Sequence, residues 1–300
     1  MLASLMKRFL FLLLMGCAGL SAQDLPEKYA PFGQLIITPF DSAPFPHPLR
    51  AEGHKRGTNF FSAAEHYQDS RVALFVPKGF RPGRTIDFVV HFHGFGNSIN
   101  RALNTYDLIE QFAASKRNAI LIVPQGPVNA SDSFWGKLDD ADGFKHFMDE
   151  AMATLKQHDI IKNQKLGQII LSGHSGVYEV ISSILVRGGL SDHVREVWLF
   201  DALYADTEWF VVWFAHHKGR FIDIYTDHGG TKESTLDLME ALKGNQVPFF
   251  TGTETNATAR DLSKNHLVFL HSDFPHDEII QTKQSFRRFL ETSALGAMRH

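Results

Sequence analysis

The feature of this chain that most constrains its fold is a series of short apolar runs separated by helix-like segments. The strand-like runs occupy residues 72–76, 86–92, 119–123, 168–171, 194–200, 221–225 and 266–270. Several are almost wholly apolar, which is typical of strands covered on both faces in a parallel sheet. Helix-like segments lie between them, at residues 102–115, 142–157, 177–187, 206–217, 231–243 and 277–291. This alternation predicts an α/β fold with a mostly parallel central sheet and helices on both faces.

The size and composition of the chain are those of an ordinary globular protein. It has 300 residues, of which 44% are apolar and 21% are charged, and a single α/β domain commonly reaches this length. We expect the α/β domain at residues 71–300, after an N-terminal extension with irregular and strand segments at residues 23–70. The formal net charge of −3 gives no electrostatic reason to expect nucleic acid as a partner.

Residues 1–22 have the pattern of a secretory signal peptide. Lys7 and Arg8 give the segment a positive start. Residues 9–15 follow as an apolar stretch that is too short to span a bilayer. We therefore expect an exported protein, whether periplasmic, secreted or anchored to a membrane.

Two cleavage sites compete at the end of this segment. Cleavage after Ala22 would release a protein that begins at Gln23. Residues 14–17 (Leu-Met-Gly-Cys) instead resemble a bacterial lipobox, in which Cys17 becomes the lipidated first residue and anchors the protein to a membrane. Because Cys17 is the only cysteine of the chain, the mature domain has no disulfide, no cysteine nucleophile and no cysteine-based zinc site.

The functional residues of an open α/β sheet lie beyond the carboxyl ends of its strands. Residues 169–176 run from an apolar strand into Gly-His-Ser-Gly and then into a helix-like segment. This segment resembles the nucleophile elbow of the α/β-hydrolase superfamily, Gly-x-Ser-x-Gly, with Ser175 as the nucleophile. One position departs from the pattern, because Val177 stands where the fifth residue is normally glycine. The β-branched side chain implies a slightly wider approach of helix and strand, with Gly176 easing the turn.

A second resemblance to the same superfamily lies at the end of an earlier strand, where residues 93–96 are His-Gly-Phe-Gly. The resemblance implies that the N–H groups of Phe95 and Gly176 form the oxyanion hole. It also implies that Gly94 lets the backbone approach the substrate and that His93 orients the loop. We group His174, inside the elbow, with these two as supporting residues.

A serine hydroxyl needs a general base, because it is a weak nucleophile at neutral pH. The superfamily orders its triad as serine, then acid, then histidine. His276 follows the last strand-like run and precedes the final helix-like segment, which is where the resemblance places the base. His271, at the strand end, is the alternative. We favour His276.

Two aspartates compete for the role of triad acid. Asp201 directly follows the apolar run at residues 197–200, and a carboxylate in apolar surroundings is costly unless it is paired. Asp227 follows the next strand, which is the position that most members of the superfamily use, although Asp-His-Gly-Gly is also an ordinary turn composition. We favour Asp201 and keep Asp227 as the alternative acid.

The likeness to the α/β-hydrolase superfamily covers about residues 71–290 and implies an acyl-enzyme mechanism without metal or organic cofactor. His91 and His93 alternate onto one strand face, but no carboxylate follows at a spacing suited to a metal site, so we expect none. The leading prediction is an exported serine hydrolase that cleaves a carboxylic ester in a small-molecule or peptide-like substrate. A serine peptidase or amidase on the same scaffold and a non-catalytic surface-binding lipoprotein are the alternatives. The oligomeric state and the natural substrate stay open.

Overall fold

The structure, a computed structural model, describes residues 25–298. The predicted signal peptide at residues 1–22, with Cys17, lies outside the described residues. The strands are β1 (Gly33–Pro39), β2 (His54–Arg56), β3 (Asn59–Phe61), β4 (Arg71–Pro77), β5 (Thr85–Phe92), β6 (Ile120–Pro124), β7 (Lys165–His174), β8 (Val194–Phe200), β9 (Arg220–Thr226), β10 (Phe250–Thr253) and β11 (Leu267–Ser272). The α-helices are α1 (Leu25–Tyr29), α2 (Ala63–His66), α3 (Ile99–Thr105), α4 (Leu108–Ala114), α5 (Gly143–Gln157), α6 (Tyr178–Arg187), α7 (Thr207–His217), α8 (Lys232–Gly244), α9 (Ala259–Lys264) and α10 (Ser285–Glu291).

Nine strands form one sheet in the order β1-β4-β6-β5-β7-β8-β9-β11-β10. Strand β4 pairs antiparallel with both β1 and β6, and every pairing from β6 across to β10 is parallel. The mostly parallel sheet of the predicted α/β fold is therefore confirmed. The carboxyl ends of β5, β7, β8, β9 and β11 consequently lie along one edge, where ligands bind in sheets of this kind.

Alternate residues of the central strands pack into two separate apolar cores. In β5, Phe88 and Val90 contact the core that α5, α6, α7 and α8 cover, whereas Val89 contacts the core under α3, α4 and α10. Helix α5 shows how the sequence specifies this packing, because its buried residues recur every three or four positions. Both faces of the sheet are therefore covered, as the apolar strands require.

The N-terminal extension is tied to the sheet and to the loop that follows β6. Strand β1 extends the sheet at its β4 edge. Further along, Arg50 donates two hydrogen bonds to Asp132, at 2.6 and 3.0 Å, and Tyr67 donates a third at 3.0 Å. Because Asp132 is buried, these charge-assisted bonds hold the segment before β4 firmly in place.

The helices and strands differ from the predicted ones at three places. The segment predicted as one helix over residues 102–115 is divided into α3 and α4, because Asp107 takes a left-handed conformation with φ of 49°. The polar segment at residues 244–264 contains β10 and α9. Its composition did not predict either element. The final helix begins at Ser285, and His276 instead starts a short 3-10 turn.

Within residues 25–298, no helix combines the length and apolarity needed to cross a membrane.

Candidate active site

Ser175 occupies a sharp turn between β7 and α6. Its φ is +60°, a conformation that costs energy in a residue with a side chain and that clusters at functional sites. The side chain of Val177 packs directly against Cα of Gly173, where a methyl group would overlap it. The missing side chain at residue 173 therefore makes room for the valine at residue 177.

Two backbone N–H groups face the same turn. Phe95 packs its ring against Cα of Gly176, and a Cβ on Gly94 would come within 2.7 Å of Cβ of Ser175. Within residues 25–298, neither the N–H of Phe95 nor that of Gly176 donates a hydrogen bond. Two unpartnered donors beside a serine are the arrangement that an oxyanion hole needs.

His93 braces the loop that carries Phe95. Its Nε2 accepts a hydrogen bond from the N–H of Gly126 at 3.1 Å, which leaves Nδ1 to donate to the carbonyl of Gly94 at 3.1 Å. Burial lowers the pKa of His93 to about 4, so the ring is neutral at pH 7 and keeps this tautomer. Gln125 adds a second brace, because its Oε1 accepts from the N–H of Ile99 at 3.0 Å.

Asp201 is fully buried at the end of β8. Its carboxylate accepts hydrogen bonds from the Thr226 N–H at 3.2 Å, from the Thr226 hydroxyl at 2.6 Å and from the Thr231 hydroxyl. Burial would raise the pKa of Asp201, but the hydrogen bonds from His276, Thr226 and Thr231 hold it below its usual range. The buried carboxylate is therefore ionised and fully surrounded by donors.

His276 completes this arrangement. Its Nδ1 lies 2.7 Å from Oδ2 of Asp201, so Nδ1–H donates to the carboxylate and Nε2 is left as the basic nitrogen. No hydrogen bond joins Ser175 to His276 in the part of the chain that the structure describes. The Tyr204 hydroxyl donates to the carbonyl of Gly229 at 2.6 Å, and the nearby Ser175 side chain lowers the pKa of Tyr204, which burial raises.

The alternative acid and the alternative base lie together, away from this arrangement. Asp227 Oδ1 is 3.2 Å from Nε2 of His271 and 2.6 Å from Nζ of Lys232. The hydrogen bond from Lys232 is the main cause that lowers the pKa of Asp227. Its side chain is 43% exposed, in contrast to the fully buried Asp201. The structure thus pairs Asp201 with His276, and Asp227 with His271.

A buried chain of hydrogen bonds connects the loop after β5 to the loop that carries His276. Asn97 Nδ2 donates to the Tyr106 hydroxyl at 3.2 Å, and that hydroxyl lies 3.0 Å from Nδ1 of His174. His174 Nε2 lies 2.9 Å from the carbonyl of His276, which accepts, so Nε2 carries the hydrogen and Nδ1 accepts from Tyr106. Burial lowers the pKa of His174 to about 4 and keeps the ring neutral.

Among residues 25–298, one group of potential metal ligands occurs, formed by His174, His276 and Asp277, whose ligand atoms lie within 4.8 Å of one another. Both ring nitrogens of His174 already have hydrogen-bond partners, so the donor set does not suit a metal. His91 and His93 have separate partners, since Nδ1 of His91 lies 3.0 Å from the hydroxyl of Ser172.

Sequence reasoning missed the polar residues that support the site from other elements. Thr226, Thr231 and Gly229 surround Asp201, and Tyr106 supports His174. A signal existed for Thr226, which ends a buried strand beside Asp227. Nothing in the sequence singles out Tyr106, because its role depends on the break between α3 and α4.

No protein-family model matches the chain, and no curated protein matches it in sequence. Among solved structures it is similar to a mutant feruloyl esterase module of Clostridium thermocellum complexed with sinapinate, with a TM-score of 0.55 and 11% identity over 90% of this chain and 91% of that one. It is also similar to a fluorophosphonate-binding serine hydrolase of Staphylococcus aureus, with a TM-score of 0.50 and 12% identity over 86% and 97% of the two chains. These likenesses and the sheet order show that the chain has the fold of the α/β-hydrolase superfamily, as its sequence motifs predicted.

Proposed function

We propose that the protein is a serine hydrolase that cleaves carboxylic esters through an acyl-enzyme intermediate. The observation that carries the proposal is the 2.7 Å contact between Nδ1 of His276 and the buried carboxylate of Asp201, beside a serine in a strained turn. Burying an ionised aspartate is costly. A hydrogen bond that fixes the tautomer of a general base supplies a functional reason for it.

In the proposed reaction, Ser175 attacks the ester carbonyl and Nε2 of His276 takes its proton. Asp201 holds the ring in the required tautomer and stabilises the imidazolium that forms. The N–H groups of Phe95 and Gly176 stabilise the negative oxygen of the tetrahedral intermediate. The alcohol leaves with the proton from His276, and water then hydrolyses the acyl-enzyme by the same steps in reverse order.

The first step requires a hydrogen bond between the Ser175 hydroxyl and Nε2 of His276, which is not formed among the described residues. Rotation between staggered rotamers of a serine side chain is cheap and fast. Hydrogen bonds of a catalytic serine are also often formed only when substrate is bound. The missing bond is therefore compatible with a nucleophile that is engaged by its substrate.

A fluorophosphonate probe tests the proposal directly. The wild-type protein is expected to be labelled and to hydrolyse 4-nitrophenyl acyl esters, and Ser175→Ala is expected to lose both properties. Ser172→Ala is the matched control. It removes a buried hydroxyl from the same strand, and that hydroxyl contacts His91 instead of the proposed site. Equal labelling of the wild type and Ser175→Ala, or folded wild type without any label, would refute the assignment.

The same preparation separates the alternatives. Turnover of aminoacyl anilides in preference to acyl esters would favour a serine peptidase or amidase. A folded protein that neither reacts with the probe nor turns over any substrate would favour the non-catalytic surface-binding lipoprotein.

Export of the protein remains a proposal that rests on residues 1–22. Mass spectrometry of the mature protein distinguishes its two forms. A diacylglyceryl modification on Cys17 would establish membrane anchoring, and an unmodified N-terminus at Gln23 would establish a released protein. An intact Met1 in protein from the native host would contradict both.

A further inference from the structure

The hairpin of β2 and β3 places a cation beside the proposed oxyanion hole. The guanidinium of Arg56 lies 4.5 Å from the centroid of the Phe95 ring. The same ring packs against Cα of Gly176. Arg56 is therefore one aromatic ring away from the two N–H groups that we assign to the oxyanion hole.

The position of this hairpin is fixed by its own contacts. Arg56 donates from Nη1 to the carbonyl of Ser131 at 3.3 Å. The neighbouring Asp132 is held by Arg50 and Tyr67. The ring of Phe61 contacts that of His66, with centroids 5.3 Å apart. Arg56 is thus presented on a braced segment, although its own side chain is exposed.

Charges of both signs act on two neighbouring tyrosines. The ring centroids of Tyr178 and Tyr204 are 6.0 Å apart. Burial is the main cause that raises the pKa of Tyr178, and Glu179 and Asp206 raise it further. Burial is also the main cause that raises the pKa of Tyr204, and Asp201 and Asp277 raise it further. Arg56 opposes this effect and lowers both pKa values. Its charge therefore reaches both phenols.

Arg56 is not neutralised by a carboxylate. No ion pair within 4.0 Å involves Arg56 in the described residues, whereas Arg50 and Arg71 each have an aspartate partner at 2.6 Å. Its other guanidinium N–H groups can therefore bind an anion from solution. The carboxylates that raise the pKa values of Tyr178 and Tyr204 would repel an anion, which leaves the Phe95 side as the favourable place for one.

We propose that Arg56 binds a carboxylate of the substrate, so that the preferred esters carry a negative charge near the scissile bond. This inference rests on the proposed ester hydrolysis. The guanidinium can make a bidentate contact with a carboxylate while it remains stacked on Phe95. Arg56 would then determine specificity without taking part in the bond-breaking step.

Matched pairs of esters test this inference. On the acyl side, 4-nitrophenyl butyrate is compared with mono-4-nitrophenyl succinate, and on the alcohol side, phenyl acetate is compared with 4-carboxyphenyl acetate. In Arg56→Gln we expect the ratio of kcat/KM for the anionic to the neutral ester to fall about threefold to fivefold in at least one pair, as for a partly solvated ion pair. The effect should shrink as the salt concentration rises.

Lys55→Gln is the control, because it removes an equal charge from the adjacent exposed residue of the same strand. We expect it to leave both ratios unchanged. Turnover of the neutral esters with no change of either ratio in Arg56→Gln, or equal changes in both variants, would overturn the role of Arg56 alone. A wild type that hydrolyses none of the four esters would instead overturn the proposed function itself.

Discussion

Two Asp–His pairs lie at the same edge of the sheet and differ in almost every physical respect. The inner pair, Asp201 and His276, joins a fully buried carboxylate to a histidine at 2.7 Å. The outer pair, Asp227 and His271, is separated by 3.2 Å, and its carboxylate is 43% exposed and is shared with Lys232. The two aspartates follow neighbouring strands, β8 and β9. Only Asp201 has surroundings that fix its protonation state.

The difference shows that the surroundings of a carboxylate, more than its place in the chain, determine what it can do. An exposed ion pair contributes little free energy and is screened by salt. The carboxylate of Asp201 cannot exchange its donors for water, so its geometry is set by Thr226, Thr231 and His276. A fixed acceptor of this kind orients a general base, whereas a solvated one does not.

The largest expected effect tests the comparison directly. Asp201→Asn should lower kcat by about a thousandfold or more, because the amide favours the wrong tautomer of His276. Asp227→Asn should change kcat by less than about twofold, as for other exposed pairs. Both values follow from 4-nitrophenyl ester turnover, with the thermal midpoint of each variant measured in parallel. A reversal of the two effects would make Asp227 the acid and remove the basis of the comparison.

A smaller loss of kcat is expected when a neighbouring residue is enlarged and both residues of the inner pair are kept. A methyl group at Gly229 would overlap the carboxylate of Asp201. Because this carboxylate is held on all sides, Gly229→Ala should lower kcat by about a hundredfold through misplacement of His276.

Gly244→Ala is the matched control for this variant, because a methyl group there meets nothing within 4 Å. We expect it to retain full activity and equal or slightly higher stability. Full activity of Gly229→Ala would show that the inner pair is not held as tightly as the comparison requires.

A third variant sharpens the role of the groups behind His276. Tyr106→Phe removes the hydroxyl that donates to His174, so the loop of His276 should lose part of its support. We expect kcat to fall about tenfold with KM nearly unchanged, since Tyr106 positions the base without meeting the substrate.

Tyr29→Phe provides the control, because Tyr29 is also buried and its hydroxyl donates to the carbonyl of Leu103 at 3.0 Å. It should lose stability and keep kcat. If Tyr106→Phe also changes only stability, then its hydroxyl is structural and the inner pair does not depend on it.

The last expected effect concerns the pH dependence of stability and leaves activity aside. Burial lowers the pKa of His91 to about 3, so below pH 6.5 the unfolded chain binds a proton there that the folded protein does not. Wild-type stability therefore loses up to about 1.4 kcal/mol per pH unit through His91 as the pH falls towards 4. The variant His91→Gln should lack this loss, so its stability relative to wild type should rise between pH 6.5 and 4.5 in urea unfolding.

The opposite trend is expected at Asp223, whose pKa burial raises to about 7. Between pH 4 and 7 the folded protein holds a proton there that the unfolded chain releases, so wild-type stability falls as the pH rises. The stability of Asp223→Asn relative to wild type should therefore shrink as the pH falls. Parallel trends in the two variants would contradict the assignment of both groups as buried and neutral.

The sequence was sufficient for the central sheet and for the order of its chemical groups. Apolar runs such as residues 194–200 specify buried strands by themselves, and polar residues at their ends must then meet at one edge. The sequence was also sufficient to favour Asp201, because this residue follows an apolar run and the burial of such a run is a local property. The roles of the site residues nevertheless stay predictions until they are tested.

The remaining features depend on contacts between distant segments, which no local pattern encodes. Arg56 reaches Phe95 from a hairpin that lies between Arg50 and Tyr67, both of which bind Asp132. Similarly, α3 and α4 form one apolar period, and the left-handed residue that divides them is an ordinary aspartate. Strand β10 is short and half-exposed, so its composition resembles that of a loop.

The contact between Val177 and Gly173 has a consequence for how such proteins are found. The side chains of residues 173 and 177 compete for the same space between the strand and the helix. In this chain the side chain of Val177 fills that space and residue 173 is the glycine. The two positions are therefore coupled: shrinking residue 177 removes the main obstacle to a larger residue at 173, as in the double change Gly173→Ala with Val177→Gly, and only the flexible end of Ile181 must then shift. A search for five fixed letters passes over this chain, whereas a rule on the combined size of the two residues would include it.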